Sequence, residues 1–287
     1  MRKLWKLNSL ILLIIIAALA ISWRSFGHSK KSSLSSKILE EITLAQVESA
    51  YSAGQESKVV NGAKAAVLPH HLLADYLIGR LIGSLRTAQP TTIIIMGPDH
   101  QNKSLTEFSI SDANWHWQNQ IFEVNKKIVD DLKTLSSVTI DNELIKNEHS
   151  VLTPLPFLKK QFPNSNFVIL AVKSGFGLAQ IQEIANVLNK TLTENDLVIA
   201  SVDFSHYQNF QIANLEDEKS LKLLEKMIPV ELKDVSADSP TSLAIVMEFA
   251  KLRSAKGLEI IDHKNSAEIS GNLASQSTTS YLDFVFY

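Results

Sequence analysis

The sequence predicts an α/β fold: a single domain with a largely parallel central sheet flanked by helices, preceded by an N-terminal membrane segment. Three observations predict it. Short uncharged runs, Ala65–Leu68, Thr91–Met96, Phe167–Val172 and Leu197–Val202, read as strands buried on both faces, the pattern of a parallel sheet. Segments with helical spacing separate them, so strand and helix alternate through most of the chain. Finally, His70 and His100 each follow the end of one of two successive strands, with one helical segment between. In an open parallel sheet the carboxyl ends of neighbouring strands meet at one edge, where ligands bind.

Composition bounds the reading. After a distinct N-terminal stretch the remaining ~250 residues suit one large α/β domain or two small ones. Hydrophobic content of 45% with 20% charged residues describes an ordinary globular protein. A net charge of −2 and the absence of a long Lys/Arg run argue against nucleic acid as a partner. The chain has no cysteine, which excludes disulfides, thiolate nucleophiles and Cys-based zinc or iron–sulfur sites. A metal must therefore use His, Asp, Glu, amide or hydroxyl ligands, which suit iron(II), manganese or zinc.

Residues 1–31 read as a signal anchor or signal peptide. Arg2, Lys3 and Lys6 precede an apolar run from Leu10 to Ile21, closed by Trp23 and Arg24. The Trp23-Arg24 exit favours a single-pass anchor with the soluble domain extracytoplasmic. Ala18-Leu19-Ala20 offers a cleavage motif, and cleavage there would give a secreted protein. Residues 32–60 read as a Ser/Lys-rich linker and a first helix, Ile38–Ala53, and 61–287 as the α/β domain.

Within that domain Ala65–Leu68 is a short strand closed by Pro69, and Leu72 to about Arg86 has helical spacing. Thr91–Met96 is the clearest strand, and Phe108–Ser111 a shorter one. Trp115, His116 and Trp117 fall in an expected irregular loop, with the two tryptophans packing on the core edge rather than forming a substrate platform. Val124–Leu135 reads as a helix and Val138–Ile140 as a weak strand. Phe167–Val172 is a strong strand and Leu178–Leu192 an amphipathic helix. Leu197–Val202 is the next strand, followed by helices near Leu215–Met227 and Pro240–Leu252. The second opens on Asp238-Ser239-Pro240, where either Ser239 or Asp238 can cap and proline takes the first helical position. Leu258–Ile261 and Ser280–Phe286 close the sheet.

Five histidines, His70, His71, His100, His149 and His206, fall at element boundaries facing one expected cleft. Asp203 precedes His206 by three residues, and Glu148 precedes His149 at the start of a helical segment, where it also suits the role of cap. There is no Gly-rich phosphate loop and no GxSxG elbow. A metal or catalytic site around His70 and His100 is the reading these positions support.

Leu68-Pro69-His70, Gly97-Pro98-Asp99-His100, Glu148-His149-Ser150 and Ser201-Val202-Asp203-Phe204-Ser205-His206 occur in the order found in the Memo-like family, protein B of the AmmeMemoRadiSam system. Asn265-Ser266-Ala267-Glu268-Ile269-Ser270-Gly271 resembles that family's Asn-Ser-Gly-Asp-x-x-Gly element, and Ser280-Tyr281 its closing pair. The resemblance spans about Asn61 to Phe286. It implies a fold similar to class III extradiol dioxygenases and a shallow metal site built on His70 and His100, with a third ligand from the C-terminal element. The family's namesake uses a cysteine there, related dioxygenases a carboxylate, and Glu268 is the only acidic residue in the matching element.

Two histidines and one carboxylate form the non-haem iron(II) arrangement, so iron(II) is the expected metal and zinc the alternative. His206, His149 and Asp203 are then the expected catalytic set, handling protons beside the metal. The expected activity is redox or dioxygenase-like chemistry on an unidentified small molecule. The competitors are a zinc-dependent hydrolase and a non-catalytic metal- or ligand-binding module. The resemblance also implies a functional link to AMMECR1-like and radical SAM proteins. Two departures stand out: His71-Leu72 replaces a small Ala-Gly pair and is expected to crowd the pocket floor, and Glu268 replaces the shorter Asp.

Overall fold

Four parallel strands form the centre of a nine-stranded sheet, and their apolar runs account for it. The computed structural model describes residues 33–287. The expected anchor or signal segment, residues 1–31, lies outside the described residues. Among the described residues no helix is long and apolar enough to cross a membrane.

The strands in chain order are β1 (Ser33–Leu34), β2 (Ala65–Leu68), β3 (Thr92–Pro98), β4 (Phe108–Ile110), β5 (Asn114–Trp117), β6 (Gln120–Phe122), β7 (Val138–Ile140), β8 (Asn166–Val172), β9 (Leu197–Ser201), β10 (Phe204–Gln208), β11 (Leu258–Asn265) and β12 (Thr278–Phe286). The main sheet runs β10-β12-β2-β9-β3-β8-β4-β7, with β11 also paired to β12. The strands β2, β9, β3 and β8 are mutually parallel. Side chains alternate between the faces: Val67, Ile94, Met96, Val168 and Leu170 join one buried cluster, while Leu68, Ile93, Ile95, Phe167 and Ile169 join the other. Burial on both faces is why these strands read as continuous apolar runs.

The sheet is mixed rather than largely parallel, which corrects the expectation. At one side β4 runs antiparallel to β8, and at the other β12 runs antiparallel to β2, β10 and β11. Connection length is the physical reason. A parallel neighbour needs a crossover of about a dozen residues or more, usually helical. Only residues 99–107 separate β3 from β4, and residues 266–277 carry just a short helix between β11 and β12.

Two further expectations change. The stretch expected as one helix divides into Lys37–Glu41 and Leu44–Gln55, because Thr43 starts the second with a capping box to Gln46. Ala50, Gly54, Gly79 and Gly83 then let that helix approach Asp75–Ser84 closely, since a Cβ on Gly79 would lie 1.9 Å from the Ala50 carbonyl oxygen. Residues from Ser33 onward thus belong to the same compact unit as the rest of the domain. The expected loop at Trp115–Trp117 is a strand, pairing with β1 and β6. Both tryptophans are buried and donate their indole N–H, Trp115 to Ser111 Oγ and Trp117 to the Ile42 carbonyl, each at 2.9 Å. Their role is packing.

Candidate metal centre

The neighbouring parallel strands β2, β9 and β3 end at one edge, and the residue just beyond each end carries chemistry. After β2 comes Pro69-His70, after β9 Val202-Asp203, and after β3 Asp99-His100. The Val202 N–H still donates to the Leu68 carbonyl at 2.8 Å, and the His70 N–H donates to Asp203 Oδ1 at 3.1 Å. The first turns beyond the sheet are therefore locked to each other. The helix His149–Leu152 packs against β3 at Gly97, where an added Cβ would come within 2.9 Å of Ser150 Cβ and of the Ser201 carbonyl. Ser150 Oγ donates to the Pro98 carbonyl at 2.7 Å. The glycine is what admits Glu148 and His149 to the edge that holds His100.

Glu148 is the most heavily engaged carboxylate of the group. Its Oε1 accepts the ring Nδ1–H of His100 at 2.8 Å and the Ser150 N–H at 2.9 Å, and its Oε2 accepts the His100 N–H at 2.9 Å. Burial alone would raise its pKa, but the hydrogen bonds from His100 and Ser150 outweigh that and bring it down to about 2. Glu148 is both the cap of its own helix and the partner of His100, so the two sequence readings hold together. A charged acceptor at Nδ1 puts the proton there and leaves the Nε2 lone pair of His100 free.

His70 is 2% exposed, and its Nδ1 faces Ser201. Its Nε2 lies 3.4 Å from Asp238 Oδ2 and 3.7 Å from Asp203 Oδ2, while His100 Nε2 lies 3.8 Å from the same Asp238 Oδ2. His149 stacks on His100 with ring centroids 4.3 Å apart and meets His70 edge-on at 5.1 Å. Two groups result: His70, His100 and His149, and His70, Asp203 and Asp238, each with one ligand atom per residue within 4.8 Å of the others.

Burial, reinforced by the neighbouring imidazoles His149 and His100, pushes the His70 pKa well below the usual histidine range. Burial first and His100 second lower His149 as well. Burial raises Asp203, and burial with the charge of Asp203 raises Asp238 well above the usual carboxylate range. Uncharged imidazoles are the form that binds metal. Asp238 Oδ1 is moreover buried with no hydrogen-bond partner, an arrangement that native proteins avoid unless the atom has another use. Donors ~2.1 Å from a shared ion lie roughly 3.0–3.4 Å apart, close to the spacing seen at Asp238. The donor set fits a divalent metal.

The other expected residues fall as follows. Asp203 sits at the centre, against both His70 and Asp238. His206 is half-buried, its pKa lowered by burial and held up partly by Asp203. His71 turns outward and shares a 2.6 Å hydrogen bond with the Tyr281 hydroxyl, so it does not fill a pocket floor. Glu268 joins neither group. Its Oε2 accepts the Asn265 N–H at 3.0 Å and its Oε1 meets Lys264 Nζ at 3.3 Å, because Asn265 and Glu268 form the capping box of the helix Ser266–Ser270.

Residues 34–285 match the family model for Memo-like protein. The chain belongs to the Memo-like family. A MEMO1 family protein of Methanosarcina barkeri is 28% identical over 228 residues, covering 72% of this chain and 81% of that protein. One from Nitrosopumilus maritimus is 21% identical over 260 residues, covering 86% and 94%. Among solved structures, an uncharacterized protein from Escherichia coli K12 aligns over 76% of this chain and 98% of its own, with 15% identity and a TM-score of 0.49.

Asp238 is the member of the Memo-like site that sequence reasoning missed. It was legible only as one of two caps for the helix Pro240–Leu252, and Ser239 takes that role by accepting the Ser242 N–H. One cap suffices, so the second acidic residue beside it was the available signal.

Proposed function

We propose that this Memo-like chain holds one divalent metal ion between His70, His100 and Asp238 and acts there on a small molecule. The observation that carries the reading is the pair of Nε2 atoms facing one carboxylate oxygen, Asp238 Oδ2, at 3.4 and 3.8 Å. Two imidazoles and one carboxylate suit iron(II), and the resemblance to extradiol dioxygenases points to redox chemistry with oxygen. Iron(II) bound there would supply redox capacity and open coordination positions.

The chain's own residues do the rest. Glu148 fixes the tautomer of His100 and raises its basicity, and Asp203 anchors the His70 backbone. His149, half-exposed above His100, and His206 with Asp203 are the groups available to take or give a proton to a bound molecule. Glu268, the third ligand implied by the family pattern, would first have to leave its capping box.

A second reading draws on the three-imidazole group His70, His100 and His149, a donor set that suits zinc and a hydrolase. Metal analysis of the full chain purified without oxygen separates them, alongside His70→Ala, Asp238→Asn and Glu268→Gln. Near-stoichiometric iron in the parent and in Glu268→Gln, lost in the other two, supports the proposal. Zinc, retained in Asp238→Asn, moves the assignment to the hydrolase. A parent that takes up no metal after reconstitution sinks both, leaving a binding module in which Asp203→Asn and His206→Ala are tolerated.

A further inference from the structure

A cavity of about 470 Å³ opens beside the cluster, with His100 and Asp238 in its wall. Its size lies within the range of ordinary small-molecule sites, roughly 300–1,000 Å³. The loop after β8 contributes Lys173 and Phe176, and the turn Pro229–Asp234 contributes Lys233. The thirteen-residue helix Pro240–Leu252 presents its N-terminus to the same space, and that end of a helix favours negative charge.

The charges in this wall do not cancel one another in place. Both carboxylates are engaged. Asp99 Oδ2 accepts the Ser104 N–H at 2.7 Å, and Asp238 Oδ2 accepts the Asp203 N–H at 3.2 Å while facing His70 and His100. The two ammonium groups have no carboxylate. Lys173 Nζ donates to the Ser104 carbonyl at 2.8 Å and leaves two N–H donors unused. Lys233 is exposed, and among the described residues it makes no hydrogen bond or ion pair. Its neighbour Asp234 is exposed and does not line the cavity. Phe176, half-buried against the main core, adds an apolar wall.

We propose that this cavity binds a small organic carboxylate, its anionic group taken by Lys233 and Lys173 and its carbon skeleton laid against Phe176, next to His100. That such a molecule is a substrate rests on the metal reading above; that it binds does not. Two unpaired cations facing one ligand site select an anion, and an apolar wall beside them selects an organic one over an inorganic ion.

The test is titration of the full chain with benzoate, benzamide and inorganic phosphate, in metal-loaded and chelator-treated protein, followed by calorimetry or NMR. Benzoate is expected to bind more tightly than benzamide in both forms, and to weaken with added salt. Lys233→Gln should weaken benzoate about tenfold and Lys233→Glu further, with benzamide unchanged. Lys173→Gln should weaken it comparably. Lys233 is exposed, so its variants leave the fold intact, which an unchanged melting temperature would verify.

Equal affinity for benzoate and benzamide, indifference to Lys233→Glu, or phosphate binding without benzoate overturns the proposal. So does benzoate binding that requires the metal and ignores both lysines, because the carboxylate would then be a metal ligand. Lysine-dependent binding in a chain that takes up no metal keeps the carboxylate site and rejects the metal reading, so the two failures are distinguishable.

Discussion

Replacing Glu148 by glutamine should cost stability and metal affinity together, for one reason. The carboxylate is 3% exposed and accepts three hydrogen bonds, two of them from His100. Its pKa falls from an ordinary 4.5 to about 2, and each pH unit corresponds to about 1.4 kcal/mol, so the charged form contributes about 3 kcal/mol to folding. Because the folded value is the depressed one, that contribution is complete above pH 4.5 and is lost as pH falls toward 2. Glutamine removes the charge and turns one acceptor into an N–H donor facing another donor. Urea unfolding of metal-free Glu148→Gln at pH 7 should therefore show a loss of about 3 kcal/mol. The gap to the parent should narrow by about 1 kcal/mol at pH 3.5, where the parent has begun to lose the same contribution. His100 also loses the acceptor that orients its ring, so metal affinity should fall ~10–100-fold. A gap under about 1 kcal/mol at pH 7, or one that does not narrow on acidification, would refute the reasoning.

Three further outcomes follow from particular contacts. Gly97→Ala puts a Cβ against Ser150 and the Ser201 carbonyl, so chemical denaturation should show a loss of ~1–3 kcal/mol, with metal uptake reduced as the helix bearing Glu148 is pushed outward. Ser254 has φ +61° just after the helix Pro240–Leu252, where the Ser254 and Ala255 N–H groups bond back to Lys251 and Ala250. Glycine suits that left-handed position, so Ser254→Gly should stabilise by about 1 kcal/mol and raise the melting temperature by ~2–4 °C, and calorimetry that finds a decrease contradicts it. Trp117→Phe removes the indole donor to the Ile42 carbonyl inside the core, and a loss of ~1–3 kcal/mol in urea unfolding is expected.

The central strands and their terminal histidines were legible because both are local facts. A β-branched run such as Thr92–Met96, closed by Pro98 and followed by His100, is a strand with a polar end whatever it later pairs with. The helices Leu178–Thr191 and Pro240–Leu252 were equally plain from apolar spacing and from capping chemistry. Order along the chain also brought His70, His100, His149, Asp203 and His206 to one expected edge, and the structure draws His70, His100, His149 and Asp203 into the two donor groups.

Strand direction at the sheet's borders and the identity of the third donor depend on pairing between segments far apart in sequence. The antiparallel setting of β12 emerges only when it docks on β2, whose partner residues Ala65–Val67 lie more than two hundred positions earlier. Asp238 reaches His70 because its own N–H and that of Asp203 bond across the gap between two loops. Glu268, one helical turn from the family's expected ligand position in sequence terms, is held away by four hydrogen-bonding atoms of its own capping box. A carboxylate has the same chemistry in either place, and what separates a ligand from a cap is the few ångströms that only the packed chain sets.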